Sequence, residues 1–276
     1  MGIKPTLRCS CKGRRLEPAF SYDAPPPGET AFDLKGRPYR RGYLRCSPCG
    51  HWFGRHDLDL SRLYEGGYVD ATYGGSDGLR QKFEQIMGLA PEKSDNAQRV
   101  QRIRTFARKH GLDETTSPRL LDVGSGLGVF PAAMQAHGWQ ATALETDLRG
   151  IAHLRDVVRV PTLEQRLHQI DPASIRPFDI ITFNKVLEHL EDPVGMLVSS
   201  KALLLHRGFI YVEVPDVAAA GAGREREEFF IEHHHVFSPA SLALTAMRAG
   251  FQVRMMRRLI EPSSKFSIIA FLRAKK

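Results

Sequence analysis

Three groups of residues in the chain are of types that do chemistry and are spaced to act together. The four cysteines all fall in the first 50 of 276 residues, as CSC at 9–11 and CSPCG at 46–50. In a reducing compartment, two close thiol pairs favour a tetrahedral Zn(S)4 site over disulfides. Cys9, Cys11, Cys46 and Cys49 are therefore the expected ligands of a structural Zn2+. Four thiolates leave no open position for catalysis. His51 follows as a substitute ligand, and a metal-free redox role is the alternative.

The second group is FFIEHHHVFSP, residues 229–239, with three consecutive histidines. Neighbouring residues diverge by about 100° in a helix and about 180° in a strand, so these three do not converge on one ion. Within the segment only His233 and His235 share a face. A general base fits better: His233, assisted by Glu232. His189, in VLEHLEDP, is a second candidate base, its alternative being a structural hydrogen bond. His234 and His235 read as surface or packing.

The third group is LLDVGSGLGVF, residues 120–130. An apolar strand ends in Asp122, and Gly124, Gly126 and Gly128 then alternate around Ser125 before a helix opens. Glycines there permit a tight turn and close approach of backbone to a ligand. The spacing is GxGxG, not the GxGxxG of dinucleotide folds. Glu145 ends the next strand, where a carboxylate can accept both ribose hydroxyls of an adenosine.

The elements that must position these groups are legible in outline. Residues 94–110 read as a helix, capped by Ser94 or Asp95, with Val100, Ile103, Phe106 and Ala107 on one face. Short apolar runs at 119–124, 140–145, 178–184, 208–214, 251–258 and 266–273 alternate with helical segments, the pattern of an α/β domain with a parallel sheet. The last two are adjacent and predict an antiparallel hairpin. Ser238 and Pro239 open a late helix, and residues 215–230, rich in Gly, Ala and charge, suit a lid. Three regions follow: a four-cysteine zinc-binding lobe over 1–56, a tyrosine-rich bridge over 57–93 and the α/β domain over 94–276. The lobe, with PPPG at 25–28 and little apolar pattern, would depend on metal for stability.

Composition sets outer bounds. With 42% apolar and 25% charged residues the chain can bury a full core. No run of about 18 apolar residues and no apolar leader occur, so a soluble, cytoplasmic protein without membrane insertion is expected. The +8 formal charge gathers near the N-terminus and along 99–109, as a solvated surface or the footprint of an anionic partner.

LLDVGSGLGVF, LETD (144–147) and FNKVLEHLEDP (183–193) together resemble class I S-adenosylmethionine-dependent methyltransferases over roughly residues 95–276. That resemblance implies a Rossmann-like, seven-stranded, mostly parallel sheet with the last strand antiparallel. It places Gly124, Gly126 and Gly128 under the methionine part of S-adenosylmethionine and Glu145 on its ribose, with Asn184 and Lys185 beside it. The family's usual acidic adenine contact is not evident; Thr162 and Leu163 stand in that stretch. A sulfonium methyl is already activated, so a hydroxyl or ketone-adjacent carbon needs only alignment and a base.

A narrower resemblance adds to this. Four N-terminal cysteines, a tyrosine-rich bridge and an FxxEH segment before FSPxSL look like the sugar C-methyltransferases of deoxysugar pathways. It implies that Glu232, His233 and His189 face the substrate, with Tyr68 or Tyr73 closing over the pocket. Phe230 stands where that family commonly has tyrosine, and the family's further C-terminal domain is not among these residues. The expected activity is methyl transfer to a small molecule: a sugar, nucleotide sugar or glycolipid precursor. An RNA or protein methyltransferase using the zinc lobe for recognition is one alternative, disfavoured because no basic run is interleaved with aromatics. A non-catalytic binding module is the other. Oligomeric state is left open.

Overall fold

The computed structural model describes residues 9–13, 15–30, 36–58 and 75–275; Tyr68 and Tyr73 lie outside them. Two sheets organise these residues. The smaller contains β1 (Leu16–Tyr22), β2 (Arg41–Cys46) and β3 (Trp52–His56), all antiparallel. The larger contains β4 (Arg119–Val123), β5 (Gln140–Leu144), β6 (Thr162–Leu163), β7 (Phe178–Asn184) and β8 (Leu204–Pro215), all parallel. The two-residue β9 (His235–Val236) pairs with β3, so the small sheet runs β1-β2-β3-β9. The hairpin of β10 (Phe251–Ile260) and β11 (Phe266–Ala274) completes the large sheet in the order β10-β11-β8-β7-β4-β5-β6. There β11 runs antiparallel to both of its neighbours. This is the seven-stranded arrangement expected.

Strand alternation splits the large core in two. Leu121, Ile181, Phe183 and Val212 are buried on one face of the sheet, and Leu120, Ile180, Phe209 and Tyr211 on the other. Both faces are covered, which is why these strands read as continuous apolar runs. Among the described residues the cover comes from helices α1 (Ser76–Met87), α2 (Asp95–Lys109), α3 (Val129–Ala136), α4 (Leu148–His153), α5 (Pro193–Ser200) and α6 (Pro239–Arg248). Ser94 caps α2 by accepting from the Ala97 amide at 3.1 Å, and Ser238 caps α6 by accepting from Ser241. Helix α1 lies in the stretch 57–93 expected to form a tyrosine-rich bridge.

Two expectations are corrected. Arg99 and Arg102 of α2 are not a basic surface: Arg99 makes two hydrogen bonds to the Glu213 carboxylate (2.9 and 2.5 Å), and Arg102 reaches Glu213 and Glu261. Arg104 and Arg108 both pair with Glu114. Secondly, the cysteine lobe does have an apolar core, but it is shared. Tyr22, Tyr43 and Trp52 pack with Ala219, Phe229, Ile231 and Val236 from the late segment. Phe229 touches Phe20, Tyr43 and Trp52 with ring centroids 5.1–5.5 Å apart. Such a cluster, once complete, contributes several kcal/mol.

Candidate functional site

The glycine turn joins β4 to α3, and its three glycines all have positive φ. Their surroundings differ. A Cβ on Gly128 would stand 2.7 Å from Leu154 and 2.9 Å from Val158, and one on Gly124 would stand 2.9 Å from Val186. A Cβ on Gly126 would meet nothing within 4 Å. Gly128 is thus required by packing, while Gly126 (φ +51°) faces open space.

Around this turn lie the other expected cofactor residues. Glu145 follows β5; its Oε2 accepts from the Gly126 amide (3.1 Å) and its Oε1 from Thr146 and Asp147. Ser125 Oγ donates to the Asp122 carbonyl at 2.8 Å. The Asp122 carboxyl, at the end of β4, receives Thr182 Oγ1 (2.6 Å) and Asn184 Nδ2 (2.7 Å). Burial pushes its pKa up to about 6, against those donors. Asn184 Oδ1 is buried with no hydrogen-bond partner among the described residues. Thr162 and Leu163 form β6, and the Leu163 carbonyl holds the Glu145 amide at 3.1 Å. An open turn, a carboxylate one strand over and a buried unmatched acceptor fit an adenosyl ligand. Lys185 differs: its Nζ is directed to Ser267 Oγ on β11, at 2.6 Å.

The turn after β7 carries Val186, against Gly124, and then Glu188 and His189. The late segment brings His233 to the same place. The rings of His189 and His233 are 4.8 Å apart, edge to face. His189 Nδ1 is 3.1 Å from the Glu232 carbonyl, and His233 Nδ1 is 3.0 Å from the Glu228 carbonyl. A carbonyl can only accept, so both Nδ1 atoms carry hydrogen and both Nε2 atoms present lone pairs. Burial lowers the pKa of each ring, that of His189 to about 4. Both are neutral near pH 7.

The His233 ring is held at Nδ1 by the Glu228 carbonyl. Burial raises the Glu232 carboxyl to about 7, and the charges that act on it include Glu29 and Arg41 of the lobe. The carboxyl beside the two imidazoles is Glu188, fully buried, with neither oxygen hydrogen-bonded among the described residues. Burial raises its pKa to about 8. Nothing local in VLEHLEDP marks Glu188 as buried. Phe230 turns toward the lobe, its ring tip facing Gly28.

The three histidines diverge as adjacency requires. His234 stacks on His56, and His235 Nδ1 meets His51 Nε2 at 2.9 Å. His51 Nδ1 is in turn 2.9 Å from Ser241 Oγ, so His51 is committed elsewhere than the cysteines. Cys9 lies 3.2 Å from the sulfurs of Cys11 and Cys49 and 3.5 Å from Cys46, and Cys11 is 3.5 Å from Cys46. A tetrahedron with Zn–S bonds of about 2.3 Å has edges of about 3.8 Å. The cage is near that size and its chemistry fits Zn2+.

The lobe grips the late segment. Tyr43 Oη donates to the carbonyls of Phe230 (3.0 Å) and His233 (2.8 Å), and Arg41 donates to that of Phe229 (2.8 Å). Glu29, paired with Arg41 at 2.6 Å, accepts from the Ile231 amide. Tyr22 Oη donates to the Arg224 carbonyl (2.6 Å), and Glu228 accepts from the Phe266 amide (2.7 Å). The expected lid is thus a packed wall at these points.

Comparison with known proteins agrees with this geometry. Residues 82–255 match a family model described as a methyltransferase domain. The chain is 28% identical over 155 residues to a ubiquinone biosynthesis O-methyltransferase of Xanthomonas euvesicatoria, covering 51% of this chain and 65% of that one. A namesake from Histophilus somni is 29% identical over 106 residues, covering 35% and 44%. The matches span less than two thirds of these relatives. Two solved structures share the fold. Magnesium protoporphyrin IX methyltransferase of Synechocystis PCC 6803, with bound SAH, has a TM-score of 0.56 at 13% identity, covering 79% of this chain and all of that one. The 1,6-didemethyltoxoflavin N1-methyltransferase of Burkholderia thailandensis has 0.51 at 16%, covering 82% and 96%. No helix among the described residues is long and apolar enough to cross a membrane.

Proposed function

Since the chain belongs to the methyltransferase-domain family that its residues 82–255 match, we propose that it transfers a methyl group from S-adenosylmethionine to a small-molecule acceptor. The acceptor we assign is carbohydrate-related: a sugar, nucleotide sugar or glycolipid precursor, on the strength of the EH and FSPASL segments. When bound, S-adenosylmethionine supplies a methyl activated by its sulfonium. The turn at Gly124–Gly128, the Glu145 carboxylate and the Asn184 side chain would hold it, and the wall over 217–236 would exclude water.

Removing the acceptor's proton falls to the cluster at His189 and His233. With no ion on the two imidazoles, the Nε2 lone pair of His233 takes it, while the Nδ1 bond to Glu228 fixes the tautomer and steadies the cation formed. The observation that carries this reading is that both rings are held through Nδ1, with no Nε2 partner among the described residues, beside the turn whose Gly124 abuts Val186. A structural Zn2+ in the four-cysteine cage is part of the same proposal. The polyanion alternative loses the support that rested on α2, since four arginines of that helix are matched by Glu213, Glu261 and Glu114.

The test combines radiolabelled methyl transfer across a panel of sugar nucleotides and phenols with calorimetry on the cofactor. His233→Ala should abolish turnover on whichever acceptor is methylated and leave cofactor affinity within about 1 kcal/mol. Wild-type turnover in that variant removes the histidine from the mechanism. Failure of the wild type to bind the cofactor removes the enzyme.

A further inference from the structure

We infer that Glu188, His189 and His233 form a binding site for a first-row divalent transition ion, separate from the cysteine cage. One ligand atom from each of the three lies within 4.8 Å of the other two. Ligands held about 2.1 Å from one ion stand roughly 3–3.5 Å apart, so side-chain rotation by about an ångström closes the set. Adjacency rules out a site made from residues 233–235 alone. Here the missing ligands come from another element, the turn after β7.

Three features besides proximity point to an ion. Both imidazoles donate their Nδ1 hydrogens to backbone carbonyls, the arrangement that orients metal-binding histidines and leaves Nε2 as the ligand atom. The Glu188 carboxyl is fully buried, and neither oxygen has a hydrogen bond among the described residues. A buried carboxyl left so is costly and rare, and a dication would satisfy it. His189 and His233, unlike Glu188, keep partial exposure, which gives the ion an entrance and room for ligands beyond these three. Two imidazoles and one carboxylate suit Zn2+, Co2+, Ni2+, Mn2+ or Fe2+ rather than Ca2+.

The inference shares its residues with the methyl-transfer reading but does not depend on it. A bound ion would occupy Nε2 of His233 and so remove it as base. An acceptor hydroxyl coordinated at an open position would then be acidified by the ion and lose its proton to water.

The test uses the full chain with its cysteine cage filled by zinc, and Co2+ as the probe in the absence of cofactor and acceptor. Expected is uptake of one equivalent with visible d–d bands and no sulfur-to-cobalt charge-transfer bands. Glu188→Gln and His233→Ala should each weaken it by more than the ~100-fold that an outer-shell partner is worth. Nitrogen NMR of the wild type with Zn2+ should show the Nε2 resonances of both rings shifting together, which decides the matter should either variant misfold. No uptake, uptake indifferent to both substitutions, sulfur bands alone, or unmoved Nε2 resonances overturns the site. Each result is obtained without turnover, so a failed methyl-transfer assay and a failed ion site are told apart.

Discussion

Gly126→Ala and Gly128→Ala, two residues apart in one turn, should fail in opposite ways. Both positions have positive φ, and an alanine held there costs about 1–2 kcal/mol. At Gly126 nothing adds to that, because the new methyl meets no atom within 4 Å. At Gly128 the methyl enters the space of Leu154 and Val158, at 2.7 and 2.9 Å. Leu154 is fully buried, so it has little room to yield, and overpacking adds about 1–3 kcal/mol. Gly128→Ala should therefore lose about 2–5 kcal/mol of stability and Gly126→Ala about 1–2. At about 2–4 °C per kcal/mol for large domains, the first melts visibly lower. Ligand affinity should rank the other way. The Gly126 methyl fills space the cofactor backbone would use, so binding should weaken by tenfold or more, about 1.4 kcal/mol, while folded Gly128→Ala binds nearly as wild type. Thermal melts and calorimetry with S-adenosylhomocysteine measure both quantities. A Gly126→Ala protein that binds the ligand as wild type does would show that the open side of the turn is not the cofactor's seat.

Further outcomes follow from buried charge and from the cysteine cage. Arg99→Met leaves the fully buried Glu213 without its bidentate partner and should cost about 3–5 kcal/mol in denaturant unfolding; pairing it with Glu213→Leu should recover most of that, and a loss below about 1 kcal/mol would mean the pair is dispensable. Cys49→Ser should release one zinc per chain, counted by mass spectrometry, and loosen the packing of Trp52, read by fluorescence; full zinc retention would contradict the cage. Asp122 holds its proton to about pH 6 in the fold but to 3.8 when unfolded. Its contribution is complete below pH 3.8 and is lost as pH rises through about 6, by about 3 kcal/mol in all. The stability difference between wild type and Asp122→Asn should fall across that window, and a flat difference refutes the burial argument.

What the sequence revealed, and what it hid, divides by the range of the interaction. The sheet strands, the glycine turn and the caps at Ser94 and Ser238 are local patterns, and they stand where the pattern put them. Strand β6 escaped notice because two residues show no period. Arg99 and Arg102 looked like solvent-facing cations, since a helix reading cannot see that Glu213, over 100 residues later, lies beneath them. The same holds for β9, which pairs with a strand some 180 residues earlier. The two histidines proposed as bases, whose rings meet at 4.8 Å, are legible through the EH motifs. Glu188 was not, because an acid inside a polar motif resembles a surface residue until the fold buries it.

Strand β9 and the Tyr43 hydroxyl give the small sheet an unexpected responsibility. They act as the mould in which the arm bearing His233 sets. A fragment trimmed to the large sheet would keep the glycine turn and Glu145, the proposed cofactor cradle, yet leave that arm unshaped. In such a fragment, donor binding and methyl delivery should come apart.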